Sequence, residues 1–235
     1  MNEKHLSSQF DSDIEQLSTQ LMEMGGLVEM QVRNAIAALN RLSLPLADEV
    51  IRVEDEVDSM EVTIDRALTA VIARRQPAAR DLRLLLSISK ITSNLERAGD
   101  EAQKIARQVK SIVSGGEIRT LPVGELRLSS DLAANLIRRA LDAFARLDVT
   151  AAVAIMKEDD LIDHEFQGFI RKLITYMMED PRTISISLNL LSVAKAVERI
   201  GDHAKNISEF IIYIVKGTDI RHSSLTHIES VLQED

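Results

Sequence analysis

The chain contains no cysteine. That excludes a disulfide framework, a thiolate nucleophile and a zinc–thiolate site, and it fits a reducing compartment. Aromatic residues make up only 3% of the chain, with 9 Gly and 4 Pro to interrupt it. Sheets favour aromatic and β-branched residues, whereas Leu, Ala, Glu, Arg and Met, abundant here, favour helix. No apolar run is longer than the stretch at 210–215, far short of the roughly 20 residues that span a bilayer. The opening Met-Asn-Glu-Lys-His carries no apolar secretion core, so the expected location is the cytoplasm. Positive charge is in deficit as well. A net charge of −9, with no Lys/Arg stripe interleaved with aromatics, disfavours nucleic acid and anionic lipid as partners.

What is present is a normal globular balance of 45% hydrophobic and 28% charged residues. The apolar residues recur at steps of three and four. Phe10, Ile14, Leu17, Leu21, Met24, Val28, Val32, Ala35 and Leu39 form one helical stripe, ended by Pro45. Val50, Val53, Val57, Met60, Ile64, Leu68 and Val71 form a second, ending before Pro77. Leu82, Leu85, Ile88, Ile91, Leu95, Ala98, Ala102, Ile105, Val109 and Ile112 form a third. Three long amphipathic helices with short turns predict an antiparallel bundle over 1–114. A Gly- and Pro-bearing linker follows at 115–124, and the pattern then restarts. Leu132, Leu136, Ala140, Phe144 and Leu147 mark a fourth helix. Ala151, Ile155, Ile162, Phe166, Phe169, Leu173 and Tyr176 mark a fifth, broken by Pro181. Leu190, Ala194, Val197, Ala204, Ile211 and Val215 mark a sixth. The expectation is an all-α fold of six helices, a tandem repeat of two antiparallel three-helix bundles. The second bundle spans 125–217, with a polar tail at 218–235 that is poorly ordered at its end.

The halves also share sequence. Glu96-Arg97-Ala98-Gly99-Asp100-Glu101-Ala102 returns as Glu198-Arg199-Ile200-Gly201-Asp202-His203-Ala204. In the middle helices, Glu54 and Asp58 return as Asp159 and Asp163. This is an internal duplication. In every one of these pairs the i, i+4 spacing puts both carboxylates on one helix face. On a helical wheel Glu96 and Asp100 lie very roughly 130–170° from the core direction. Glu54/Asp58 and Asp159/Asp163 lie nearer, roughly 60–120° away, and flank the seam. Adjacent antiparallel helices would gather them into one surface groove per repeat, with Glu61 and Asp65 extending the first. Like charges so gathered need screening or a counterion. Oxygen-only ligation suits hard cations, Fe, Mn, Mg or Ca, and argues against structural zinc. The bland reading is a solvated acidic face, with Gly99 and Gly201 marking tight helix packing.

Taken together, these motifs resemble the PhoU family. The resemblance also rests on Arg75-Gln76-Pro77 before Asp81-Leu82-Arg83, on Leu141-Asp142-Ala143-Phe144-Ala145-Arg146, and on Thr175-Tyr176-Met177-Met178-Glu179-Asp180, and it runs from about His5 to His222. It implies a negative regulator of the phosphate-starvation (Pho) response with no enzymatic activity. Such a regulator is a signalling adaptor linking the phosphate ABC transporter, through its ATPase PstB, to the sensor histidine kinase PhoR. The implied protein is a cytoplasmic homodimer, peripheral to the membrane only through its partners. The resemblance further implies metal ligands at Glu54, Asp58, Glu96, Asp100, Asp159, Asp163, Glu198 and Asp202. The alternative from another class is a carboxylate-cluster metal-binding or metal-storage protein.

Other chemistries find little support. His164 and His203 each follow an aspartate and could lean towards its cluster, but successive helical residues point about 100° apart. A ferritin-like di-iron site needs Glu-x-x-His, which does not occur. No nucleophile–base spacing and no Gly-rich phosphate loop after a strand is evident. Met22, Met24, Met30, Met60, Met177 and Met178 read as core filler.

Overall fold

The computed structural model describes residues 8–77, 79–115, 122–221, 223 and 228. The described residues form six α-helices and no strand: α1 (Ser8–Arg41), α2 (Leu44–Arg75), α3 (Ala79–Ser114), α4 (Arg127–Arg146), α5 (Val149–Glu179) and α6 (Ile184–Lys216). The all-α expectation holds, and the helix limits follow from local chemistry. Pro45 sits in the first turn of α2, where its missing N–H has no intrahelical partner to lose. Asp148 caps α5, its Oδ1 accepting from the Ala151 N–H at 2.9 Å. Gly217, at φ 76°, closes α6 and donates its N–H to the Tyr213 carbonyl at 2.9 Å.

The duplication is visible in the backbone. The first helix of each half ends on a left-handed leucine, Leu42 and Leu147, both at φ 50°. The residue after each donates back across the last turn, Ser43 to the Ala38 carbonyl at 3.0 Å and Asp148 to the Ala143 carbonyl at 2.9 Å. Glycine normally fills this position, because a side chain there costs about 1 kcal/mol or more. Nothing in the sequence marks the two leucines as special, and the shared irregularity reflects a shared geometry.

Within the first bundle, Arg75 near the end of α2 reaches Asp13 near the start of α1 at 2.9 Å, and Lys110 on α3 reaches Asp48 on α2 at 2.5 Å. These pairs fix antiparallel neighbours. The bundles pack on each other chiefly through α3 and α6, also antiparallel, since Asn189 of α6 donates to Ser111 of α3 at 3.3 Å. One apolar core runs through both bundles without a break.

The stripes are buried as expected, with corrections near the ends of α5 and α6 and at Met30 on the outer face of α1. Tyr176 and Val215 are exposed, as are Met30 and, at 79%, Met178. Those two methionines are not core filler. In the linker, Val123–Leu126 forms a 3-10 turn whose Leu126 is buried, while 116–121 lie outside the described residues. In the tail, Ile220 and Ile228 are buried and join the core, contrary to a wholly polar tail. The rest of the tail beyond Arg221, Ser223 apart, lies outside the described residues.

Two adjacent glycines inside α1 give a paired prediction. A Cβ at Gly25 would overlap the side chain of Leu141 on α4, whereas one at Gly26 would meet open space. Gly26→Ala is therefore expected to stabilise by up to about 1 kcal/mol through helix propensity. Gly25→Ala is expected to destabilise by pushing α1 and α4 apart. Urea denaturation of the two variants checks the opposite signs.

Candidate functional site

The first carboxylate cluster lies between α2 and α3. Glu54 does not merely flank the seam, where the helical wheel placed it; it is 4% exposed. Two residues turn it inward. Gly99 on α3 leaves the space, for a Cβ there would sit 2.9 Å from Gln31 Oε1 and 3.3 Å from Glu54 Oε2. Gln31 on α1, itself buried, donates its side-chain amide to Glu54 Oε2 and to the Val50 carbonyl. Glu54 Oε1 is buried with no hydrogen-bond donor. Asp58 stands one turn along α2, exposed, and across from it on α3 are half-buried Glu96 and exposed Asp100.

The electrostatics record this crowding. Burial, reinforced by Asp100, Asp58 and Glu96, pushes Glu54 up to about 7 against the opposing Gln31 bond. Glu96 is also raised to about 7, first by partial burial and then by Asp100, Glu61 and Asp58. Asp100 is raised by partial burial and by Asp58 and Glu101. Among the described residues, no Lys or Arg forms an ion pair with any of the four. The stripe extension is likewise met by neutral donors, Ser93 to Glu61 and Ser89 to Asp65, each at 3.2 Å.

The second cluster repeats the plan with a different balance. Asp159 on α5, 1% exposed, lies against Gly201 of α6, where a Cβ would fall 2.6 Å from Oδ1. Here cations attend the acids. Lys205 Nζ is 3.2 Å from Asp159 Oδ2, and Lys195 Nζ is 2.6 Å from Glu198 Oε1. Lys195 also rests over the Phe166 ring, 5.3 Å from its centroid. Burial raises Asp159 to about 6, with Lys205 opposing and Asp202 and Asp163 adding. Asp202 is raised by burial, then by Glu198 and Asp163.

The eight acids singled out by the motif thus fall into two groups of four, one per repeat, with Glu54 and Asp159 buried instead of flanking. Among the described residues, no three carboxylate or histidine side chains are closed into a coordination shell. The donor set nonetheless fits a hard cation, being oxygen-only, short of hydrogens at Glu54 Oε1, and strained by mutual repulsion. His164 is exposed. His203 turns away from Asp202 into the α3–α6 interface, its Nδ1 3.1 Å from Asn94 Oδ1, which also accepts from Asn206 at 3.1 Å. Burial pushes His203 down to about 4. Beside it Arg199 joins buried Glu101 at 2.8 Å, tying the bundles together at the centre of the repeated motif.

Sequence reasoning missed Gln31, Lys195 and Lys205. Each left a trace. Gln31 is a polar residue in the α1 apolar seam, between Val28 and Val32, and both lysines stand three positions from a cluster acid of their own helix.

A family model described as the PhoU domain matches the chain twice, at residues 21–109 and 126–211. A Burkholderia sp protein named "Phosphate-specific transport system accessory protein PhoU homolog" is 50% identical, covering 95% of this chain and 96% of its own. The Escherichia coli (strain K12) phosphate-specific transport system accessory protein PhoU is 44% identical over 97% of this chain and 94% of its own. The crystal structure of PhoU from Pseudomonas aeruginosa superposes with a TM-score of 0.86 at 44% identity, covering 89% of this chain and all of that one. The phosphate transport system regulatory protein PhoU from Streptococcus pneumoniae superposes with a TM-score of 0.82 at 25% identity, covering 89% of this chain and 98% of that one.

Proposed function

The chain belongs to the PhoU family, and we propose that it is a cytoplasmic, non-enzymatic accessory protein of phosphate transport that restrains the phosphate-starvation response. The observation that carries this reading is the near full-length likeness, through both repeats, to accessory proteins of the phosphate-specific transport system. In this reading it bridges the transporter ATPase PstB and the sensor kinase PhoR, and it reaches the membrane only through them; no helix among the described residues is long and apolar enough to cross one. Two quasi-equivalent bundles offer two similar faces, suited to holding two partners or a second copy as a homodimer. An adaptor of this kind acts by binding one transport state of a partner better than another, since equal affinity shifts no equilibrium.

The test is alkaline phosphatase activity in phosphate-replete medium. A strain lacking the protein is expected to express it constitutively, and complementation to silence it. Full repression in the deleted strain would overturn the reading.

A second reading is favoured by the buried, donor-poor Glu54 and its neighbours, namely that the clusters take Fe, Mn or Mg. Glu54, Asp58, Glu96 and Asp100 would hold such an ion in the first repeat; Asp159, Asp163, Glu198 and Asp202 are their counterparts in the second, where Lys205 and Lys195 already pair with Asp159 and Glu198. When bound, the ion would supply the positive charge that lets crowded carboxylates ionise together.

A further inference from the structure

We propose that the two clusters are not equivalent: the first takes a hard divalent cation, while the second carries its own counterions in Lys195 and Lys205. The proposal rests on the reading that the repeated carboxylates are built to meet positive charge, and it concerns how this chain divides that role between its repeats.

Superimposing the two Glu-Arg-x-Gly-Asp motifs aligns Lys195 with Ser93 and Lys205 with Gln103. At both places the second repeat puts an ammonium where the first has a neutral side chain. Ser93 spends its hydroxyl on Glu61 at 3.2 Å, whereas Lys195 Nζ meets Glu198 at 2.6 Å. Lys205 reaches the most deeply buried acid of its cluster, Asp159, at 3.2 Å. The first helix of the second repeat also lacks a counterpart of Gln31. Aligning the first helices through Leu42 and Leu147 pairs Gln31 with Leu136, fully buried. Glu54 therefore receives a neutral amide and keeps Oε1 without a donor. Asp159 receives a charge.

Four carboxylates with no cation in ion-pair contact, Arg97 and Arg107 acting on them only from farther off, create an attractive well for an incoming divalent ion. Four carboxylates with two fixed ammonium groups create a shallower one, and an ion entering there is repelled by both lysines at contact distance. Displacing Lys205 would strand a partly buried ammonium, since its side chain is only 32% exposed. Glu198 Oε2 and Asp159 Oδ2 do lack hydrogen-bond donors, but in both carboxylates the charge is already answered within 3.2 Å.

The test uses the purified full chain, stripped of metal, with Mn2+ as probe and binding followed by equilibrium dialysis and by the loss of the free-ion EPR signal. Glu96→Gln with Asp100→Asn is expected to weaken Mn2+ binding by at least roughly tenfold. Glu198→Gln with Asp202→Asn is expected to leave it within about twofold of the parent. Lys195→Ser with Lys205→Gln, which installs the first repeat's residues in the second, is expected to add a further Mn2+ per chain, with circular dichroism confirming the helical fold. Equal losses from both acid variants would overturn the proposal while leaving the cation-site reading intact, as would a lysine variant that gains nothing. Absence of Mn2+ binding in the parent and in every variant would remove both.

Discussion

Alanine at position 201 is expected to lower the stability of the chain by about 1–2 kcal/mol, although alanine is the better helix former. The propensity gain is at most about 1 kcal/mol. Against it stands a Cβ placed 2.6 Å from Asp159 Oδ1 and 2.8 Å from Ile162 Cδ1, distances that side chains do not sustain. Asp159 is the short, buried end of the Lys205 pair, and Ile162 belongs to the core, so neither can swing aside without opening the α5–α6 contact. Overpacking of this kind costs about 1–3 kcal/mol. Gly99→Ala in the first repeat is expected to cost less, because its Cβ would approach Gln31 Oε1 at 2.9 Å and Glu54 at 3.3 Å, the far ends of longer side chains. Chemical denaturation of both variants gives the order. A Gly201→Ala protein as stable as its parent would show that the buried aspartate is looser than its surroundings require.

Glu54→Gln is expected to make the metal-free protein more stable at pH 8 by on the order of 2 kcal/mol, and to change it little at pH 5. The sign follows from linkage. Glu54 is held at about 7 in the folded chain, above its unfolded value of 4.5. Between those values the folded state binds the extra proton, so the stability associated with neutral Glu54 is fully present below pH 4.5 and lost as pH rises through about 7. Glutamine stays neutral throughout, and its carbonyl still accepts from Gln31. His203, pushed down to about 4, acts in the opposite sense, losing stability as pH falls below its unfolded value of 6.5. The difference between parent and variant isolates Glu54 from that background. Thermal melts from pH 5 to 8 in the presence of a chelator measure it. Parallel pH profiles for the two proteins would mean that Glu54 ionises without penalty, and that the cluster needs no counterion.

Much of this molecule was legible in one dimension. The stripes from Leu17 to Leu39, Val50 to Val71 and Leu82 to Ile112 determine three helices, because a 3.6-residue period leaves apolar side chains on one face. Pro45 and Pro181 set boundaries by chemistry that needs no neighbour, and the repeated motifs disclose the duplication and the eight acids. What the sequence could not decide is which of those acids water reaches. A helical wheel reports direction from one axis, but burial depends on what stands opposite. Gly99 and Gly201 remove the side chain that would have held Glu54 and Asp159 away, and Gln31 or Lys205, distant in sequence, supplies the partner that makes the burial tolerable. His203 is the same lesson in reverse: beside Asp202 along the chain, it belongs by packing to Asn94 on α3. Spacing along one helix fixed the carboxylates as pairs; only the approach of α2 to α3 and of α5 to α6 made them clusters, because charge and burial act through space between helices that the sequence lists far apart.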